Sequence, residues 1–249
     1  MPDDTVDVSV VIPLCDEEAN VNPLLDELVP ACEASGRSFE LILVDDGSQD
    51  ATYARLVERQ RRDPRLRLIK FTRNFGQSAA FTAGFAAARG GVIVTFDGDL
   101  QNDPTDIPRL LPLTERADVV CGWRRSRQDA FLTRKLPSMV ANWLIGLASG
   151  VPLHDNGCSL KVFRAQVVKP LQLEPGMHRY LPAIASQIGS RVTEVVVNHR
   201  PRRFGRSKYG LSRTFRVVLD LFRLRRLMRR AVSRPAAAAP LYQVSETAC

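Results

Sequence analysis

Apolar positions along this chain fall into short, nearly continuous runs, each closed by a polar cluster. Val8-Ser-Val-Val-Ile-Pro13, Phe39-Glu-Leu-Ile-Leu-Val44, Leu66-Arg-Leu-Ile-Lys-Phe71, Val92-Ile-Val-Thr-Phe96 and Asp118-Val-Val-Cys-Gly122 are rich in β-branched and aliphatic side chains. Runs of this length predict buried strands. Between them the apolar spacing becomes helical, from about Asp16 to Ala34, Ala51 to Arg61, Ser78 to Arg89 and Ile107 to Leu113. Two more short strands are predicted at Ser159–Phe163 and Glu194–Asn198. Strand and helix alternating over short links predict an α/β fold, a mostly parallel sheet with helices on both faces. The polar clusters Asp16–Glu18, Asp45–Ser48, Arg73–Gly76 and Asp97–Gln101 then share one rim of that sheet. Ligands of open α/β sheets collect at this rim, outside the carboxyl ends of the strands.

Two stretches depart from the pattern. Leu136 to Leu153 carries no formal charge. Its prolines, glycines and Asn142 argue against a spanning helix and for one packed on the domain or resting on a bilayer surface. From Leu211 to about Arg230, apolar residues at helical spacing (Leu211, Phe215, Val218, Phe222) are interleaved with arginines. A basic amphipathic helix of this kind suits a membrane surface or a partner protein. The expected organisation is a catalytic domain over 1–210, the basic helix over 211–234 and a disordered Ala/Pro-rich tail over 235–249.

Composition sharpens this in two ways. The formal charge of +8 is concentrated: Arg200 to Arg234 holds thirteen Lys/Arg and one acid, leaving 22 basic against 26 acidic residues elsewhere. A slightly acidic body with a basic stretch attracts polyanions. The five scattered cysteines (Cys15, Cys32, Cys121, Cys158, Cys249) form no Cys-x-x-Cys pair, so neither a disulfide framework nor a zinc site is indicated. The acidic N-terminus is not a signal peptide, and a cytoplasmic setting is expected.

The candidate chemistry centres on Asp97-Gly98-Asp99, directly after an apolar strand. Two carboxylates at a strand end can hold a hard divalent cation, Mg²⁺ or Mn²⁺, whose remaining positions are filled by phosphate oxygens. Gly98 is expected to let the backbone turn tightly so that both acids face one point. No Gly-x-Gly-x-x-Gly follows the first strand and no Gly-x-x-x-x-Gly-Lys-Ser/Thr occurs, which argues against a Rossmann dehydrogenase or a P-loop enzyme.

Five segments in order, Val10-Val-Ile-Pro-Leu-Cys-Asp-Glu-Glu18, Val44-Asp-Asp-Gly-Ser48, Arg73-Asn-Phe-Gly76, Phe96-Asp-Gly-Asp-Leu-Gln101 and Gly205-Arg-Ser-Lys-Tyr209, resemble the family-2 glycosyltransferases with a GT-A fold. Within these, the likeness is to the polyprenyl-phosphate glycosyltransferases of the dolichol-phosphate mannose synthase type, and it covers roughly residues 8 to 220. The resemblance implies that Pro13, Glu17 and Asp46, with Asp45 adjacent, line the base and ribose of a nucleotide sugar. It implies that Asp97, Asp99 and Gln101 form the metal and diphosphate motif. It likewise implies that Arg124, Arg134, Arg206, Ser207 and Lys208 lie near the phosphates, and Asp155 near the reacting sugar. Two departures stand out: many relatives have asparagine where this chain has Asp16, and many bacterial relatives continue into transmembrane helices after the basic helix. Membrane contact here is then expected from amphipathic segments or from a separate membrane-protein partner.

The acceptor decides whether a base is needed. A sugar hydroxyl must lose a proton, whereas a phosphate monoester, with a second pKa of about 6, is already largely ionised near neutral pH. His154, His178 and His199 have no obvious sequence partner, and arginines dominate the expected site. That balance favours inverting hexose transfer from a GDP-mannose- or UDP-glucose-type donor to a polyprenyl phosphate at the cytoplasmic face of a membrane. Asp99, Asp155, Arg124 and Arg134 are the expected catalytic set. Two alternatives stay open: a saccharide or protein hydroxyl acceptor with Asp155 as base, and a nucleic-acid module using the arginine-rich C-terminus. Against the second, aromatic residues are not interleaved with the arginines as stacking platforms, and no nucleic-acid partner is expected.

Overall fold

The computed structural model describes residues 6–125, 145–146, 150–201 and 242–248. The uncharged stretch expected to pack as a helix (136–153) lies mostly outside these residues, and the basic helix (211–234) wholly so.

Eight strands form one sheet in the order β7-β5-β6-β4-β1-β2-β3-β8. They are β1 Val8–Leu14, β2 Phe39–Asp45, β3 Leu66–Phe71, β4 Val92–Thr95, β5 Val119–Trp123, β6 Lys161–Arg164, β7 Val192–Val196 and β8 Val244–Ala248. The first four are mutually parallel, as is the β5–β7 pair. Strand β6 runs antiparallel between β4 and β5. The helices are α1 Glu18–Glu33, α2 Thr52–Gln60, α3 Gln77–Ala87, α4 Ile107–Leu110, α5 Ala165–Val168 and α6 Leu181–Gln187.

Alternation along each strand supplies two cores. Val10, Ile12, Leu41 and Leu43 pack with Leu24, Leu25 and Leu28 of α1 on one face. Val11, Ile42 and Val44 pack with Ala79, Ala80 and Phe85 of α3 on the other. Burial on both faces explains why the central strands read as continuous apolar runs. Register brings the polar loops to one rim: Leu14 lies opposite Asp45, and Val11 opposite Thr95. Lys161, at the start of antiparallel β6, lies opposite both Thr95 and Cys121, so the turn before it reaches the same rim. Trp123 lies opposite Val196, so the segment after β7 emerges there too.

The structure corrects three expectations. The helix predicted from Ile107 to Leu113 is a single α-helical turn between 3₁₀ turns at Pro104–Asp106 and Leu111–Glu115, because Pro108 and Pro112 interrupt the backbone ladder. Strand β7 is shifted two residues toward the N-terminus of its predicted range. It lies at the sheet edge and is only partly buried, so its apolar pattern is weak. The tail expected to be disordered over 235–249 instead contributes β8, antiparallel to the outer edge of β3. That edge would otherwise present unpaired backbone groups. Tyr242 secures the approach by stacking on Phe71 with centroids 4.9 Å apart. The short helices α5 and α6 lie among Pro170, Pro175 and Pro182, which obscure their periodicity. Among the described residues, no helix is long and apolar enough to cross a membrane.

Candidate active site

The loops after β1 and β2 are laced together. Asp46 N donates to Leu14 O (2.8 Å), Asp16 N to Ser48 Oγ (3.0 Å), Gln49 N to Asp16 Oδ1 (2.8 Å) and Ala51 N to Glu18 Oε2 (3.1 Å). Glu17 N donates to Thr52 Oγ1 (2.8 Å), and the Glu17 carboxylate accepts from Asn20. Asp16 adopts φ +50°, a left-handed conformation that asparagine and aspartate both tolerate. The departure from asparagine at this position therefore leaves the turn intact. Pro13, half-buried, pairs with Val44 beside this turn.

Asp45 and Asp46 are both buried but do different work. Asp46 accepts from Phe75 N (2.6 Å) and Gly76 N (2.9 Å), one amide on each oxygen, and so braces the Arg73–Gly76 loop. Gly47, which follows them, sits at φ +69°, and a Cβ there would fall on the Arg73 backbone. Only glycine meets both demands. Asp45 accepts from the amide and hydroxyl of Ser48, while its Oδ2 is buried with no hydrogen-bond partner among the described residues. Burial raises its pKa above the ordinary carboxylate range, more than the Ser48 bonds lower it.

Asp97 and Asp99 are half-buried just past the end of β4. Asp97 Oδ1 accepts from Gln77 Nε2 at 2.7 Å, so the first residue of α3 orients it. Asp99 Oδ1 accepts from the backbone amide of Gln101 at 3.1 Å. The φ of Gly98 is not left-handed, and a Cβ there would lie 2.5 Å from Leu14 Cδ2, so glycine lets this turn lie close against β1. The left-handed residue of the turn is Leu100, φ +61°, with its side chain in the core. Among the described residues no group of three or more Asp, Glu, His or Cys gathers as a metal site. Two hard carboxylates that leave coordination positions to phosphate oxygens fit Mg²⁺ or Mn²⁺.

Arg124, just beyond β5, meets Asp155 in a bidentate pair: Nε to Oδ2 at 2.7 Å and Nη2 to Oδ1 at 3.0 Å, with Arg124 N to Oδ2 at 3.3 Å. Burial acts to lower the Arg124 pKa, but the Asp155 hydrogen bond and charge, joined by the charge of Asp97, hold it above its ordinary value. Arg124 is thus a permanent cation within electrostatic reach of Asp97. Sequence reasoning missed three residues here. Gln77 is one. Lys161, buried in β6, donates to the carbonyls of Asn156 and Cys158 and ties down the turn that carries Asp155. Glu194 in β7 accepts from the amides of His154 and Asp155 and contacts the His154 ring. Only their polar type inside apolar strands could have flagged Lys161 and Glu194. The histidines do have partners: His154 meets Glu194 and stacks on Trp123, and His178 meets Ser78. Burial pushes the thiols of Cys121 and Cys158 up to about 12 and 11, so neither is a nucleophile near neutral pH.

The chain leaving β7 docks on the residues after Asp99. Arg200 N donates to Gln101 O (2.8 Å), Asn102 and His199 form a β-bridge, and Arg200 pairs with Asp103 (2.7 Å) and with Glu27. Arg134, Arg206, Ser207 and Lys208 lie outside the described residues. The site described therefore brings together Pro13, Glu17, Asp45, Asp46, Asp97, Asp99, Gln101, Arg124 and Asp155 at one rim.

Comparison with known proteins bears on the fold and the family. The model of the family described as glycosyl transferase family 2 matches residues 9–171. The chain is 46% identical over 233 residues to dodecaprenyl-phosphate galacturonate synthase of Rhizobium johnstonii, covering 92% of this chain and 69% of that protein. It is 37% identical over 216 residues to undecaprenyl-phosphate 4-deoxy-4-formamido-L-arabinose transferase of Edwardsiella ictaluri, covering 86% of this chain and 66% of that protein. The chain thus spans about two thirds of the length of these relatives. Glucosyl-3-phosphoglycerate synthase of Mycobacterium tuberculosis, solved with Mn²⁺, UDP and glucosyl-3-phosphoglycerate, superposes with a TM-score of 0.69 at 20% identity, covering 88% of this chain and 80% of that one. That last likeness is one of fold.

Proposed function

The chain belongs to glycosyl transferase family 2, and from that premise we propose that it transfers a sugar from a nucleotide sugar to a polyprenyl phosphate, with inversion, using Mg²⁺ or Mn²⁺ held at Asp97 and Asp99. Relatives named for polyprenyl-phosphate transfer support the acceptor. Those names specify galacturonate and 4-deoxy-4-formamido-L-arabinose, so the donor is widened from a GDP-mannose or UDP-glucose type to a nucleotide-linked hexose, hexuronate or pentose.

One observation carries the choice of acceptor: both carboxylate oxygens of Asp155 are engaged by Arg124. A carboxylate whose two oxygens already accept from a guanidinium is poorly placed to take a proton from an acceptor hydroxyl. Asp155 therefore serves to aim Arg124, and the site suits an acceptor that arrives ionised. The acceptor phosphate oxygen attacks the anomeric carbon while the bond to the nucleoside diphosphate breaks. When bound, the metal supplies Lewis-acid stabilisation of the departing diphosphate. Arg124 adds a preorganised charge in a partly water-excluded setting, where such charges are most effective. Pro13, Gln101 and the acids Glu17, Asp45 and Asp46 are assigned to the donor side. Arg134, Arg206, Ser207 and Lys208 are assigned to the phosphates by family resemblance alone. We place the protein at the cytoplasmic membrane face, held by its basic stretch, with or without a separate membrane-protein partner.

The test is diphosphate release by the full chain from a panel of UDP- and GDP-sugars with Mn²⁺ or Mg²⁺, with and without undecaprenyl phosphate. Release should need both metal and lipid phosphate, and Asp99→Ala should abolish it without lowering the unfolding temperature. Release that ignores lipid phosphate, or an active Asp99→Ala protein, would overturn the reading.

A further inference from the structure

We infer that Glu194 is a positioning residue for this transfer, fixing the Asp155–Arg124 pair in place at the carboxyl rim. The inference rests on the function proposed above. Glu194 lies in β7, opposite Cys121 of β5 and 39 positions beyond Asp155. Its side chain is 10% exposed, and its carboxylate makes three contacts, all to one turn: His154 N at 3.0 Å, Asp155 N at 2.9 Å and His154 Nδ1 at 2.8 Å. The His154 ring is held from a second side by Trp123, with centroids 4.1 Å apart and planes 16° from parallel. Two successive backbone amides bound to one carboxylate fix the peptide plane that sets the direction of the Asp155 side chain. Asp155 in turn gives both oxygens to Arg124. Rotation of that peptide would carry the guanidinium with it. A misplacement of about 1 Å in an active site can cost about a hundredfold in rate.

A glutamine at 194 fills the same volume but offers one acceptor oxygen, and its NH₂ would confront an amide N–H. A residue that merely anchors β7 would show its loss in stability; a positioning residue shows it in kcat. For Glu194→Gln we expect kcat to fall about 10- to 100-fold, donor KM to change less than about threefold and the unfolding temperature to hold. The effect must pass through Asp155, so the double variant with Asp155→Asn should be no slower than Asp155→Asn alone. Glu194→Asp, which keeps two acceptor oxygens, should recover part of the rate. If Glu194→Gln folds poorly, the Arg124 Nε–H signal in ¹⁵N NMR decides: it should move in Glu194→Asp as it does in Asp155→Asn. Multiplying rate losses in the double variant, an unchanged kcat or an unmoved Arg124 signal overturns the inference while leaving the transferase reading standing. A wild-type chain that transfers nothing to lipid phosphate overturns both.

Discussion

The two rims of the sheet are built from the same residue types and end in opposite states. At the amino rim, Glu40 is fully buried and saturated: it accepts from Ser9 Oγ, Arg67 Nη1, Arg89 N and Arg89 Nε at 2.6 to 2.9 Å. Burial alone would raise the Glu40 pKa, yet the Ser9, Arg89 and Arg67 contacts together lower it. At the carboxyl rim, Asp45 is equally buried but has an oxygen with no partner among the described residues, and a raised pKa. Asp97 and Asp99 there are half-buried, and the nearby cation Arg124 is committed to Asp155. One rim neutralises its acids internally and adds stability; the other leaves its acids without a saturating set of cationic partners among the described residues.

Breaking the carboxyl rim should give the largest effect, and it should appear in rate alone. Asp97→Asn removes one ligand charge and should slow diphosphate release at least ~10³-fold, about 4 kcal/mol of barrier, with an unchanged unfolding temperature. The mirror experiment is Glu40→Ala, which strands two arginines. It should cost about 3 kcal/mol in denaturant unfolding while kcat per folded molecule is preserved. Because the folded pKa of Glu40 lies below its unfolded value, its contribution is fully present above about pH 4.5 and is lost as pH falls through the folded value. Denaturation midpoints of Glu40→Gln and wild type should therefore converge in acid.

Asp45 sharpens the contrast because its sign is reversed. Its folded pKa lies above the unfolded one, so the ionised group destabilises the fold at neutral pH and that cost is relieved as pH falls through the raised value. Asp45→Asn should raise the unfolding temperature at pH 7 by about 2 °C, weaken donor binding, and lose its thermal advantage in acid. The smallest effect belongs to neither rim. Tyr242→Ala, which removes the Phe71 stack under β8, should cost about 1 kcal/mol with no change in rate.

The parts legible in the sequence are those governed by local pattern. Strands β1 to β4 are predicted within about a residue because burial on both faces makes their apolar runs contiguous. Asp97 and Asp99 are recognisable as a pair because their spacing is local. What escaped depends on partners distant in the chain. Gln-Val-Ser-Glu-Thr-Ala reads as a polar tail until β3 is there to pair with it. Asp45 and Asp46 are indistinguishable as letters, yet one braces the Phe75–Gly76 amides and the other does not. Glu194 looks like an ordinary strand residue until the turn forty positions earlier is folded against it.

Leu100 has a consequence for how this enzyme can drift under mutation. A bulky aliphatic residue at φ +61° is disfavoured by roughly 1–2 kcal/mol, and here it is retained by burial among Leu14, Val94, Phe96 and Leu160. The bend between Asp99 and Gln101 is therefore gripped by the hydrophobic interior. Trimming a methyl group from that pocket costs about 1 kcal/mol of stability and touches no ligand, yet it also loosens the hook on which the second aspartate hangs. Variation deep inside the domain should register as sluggish turnover beyond what the earlier melting accounts for.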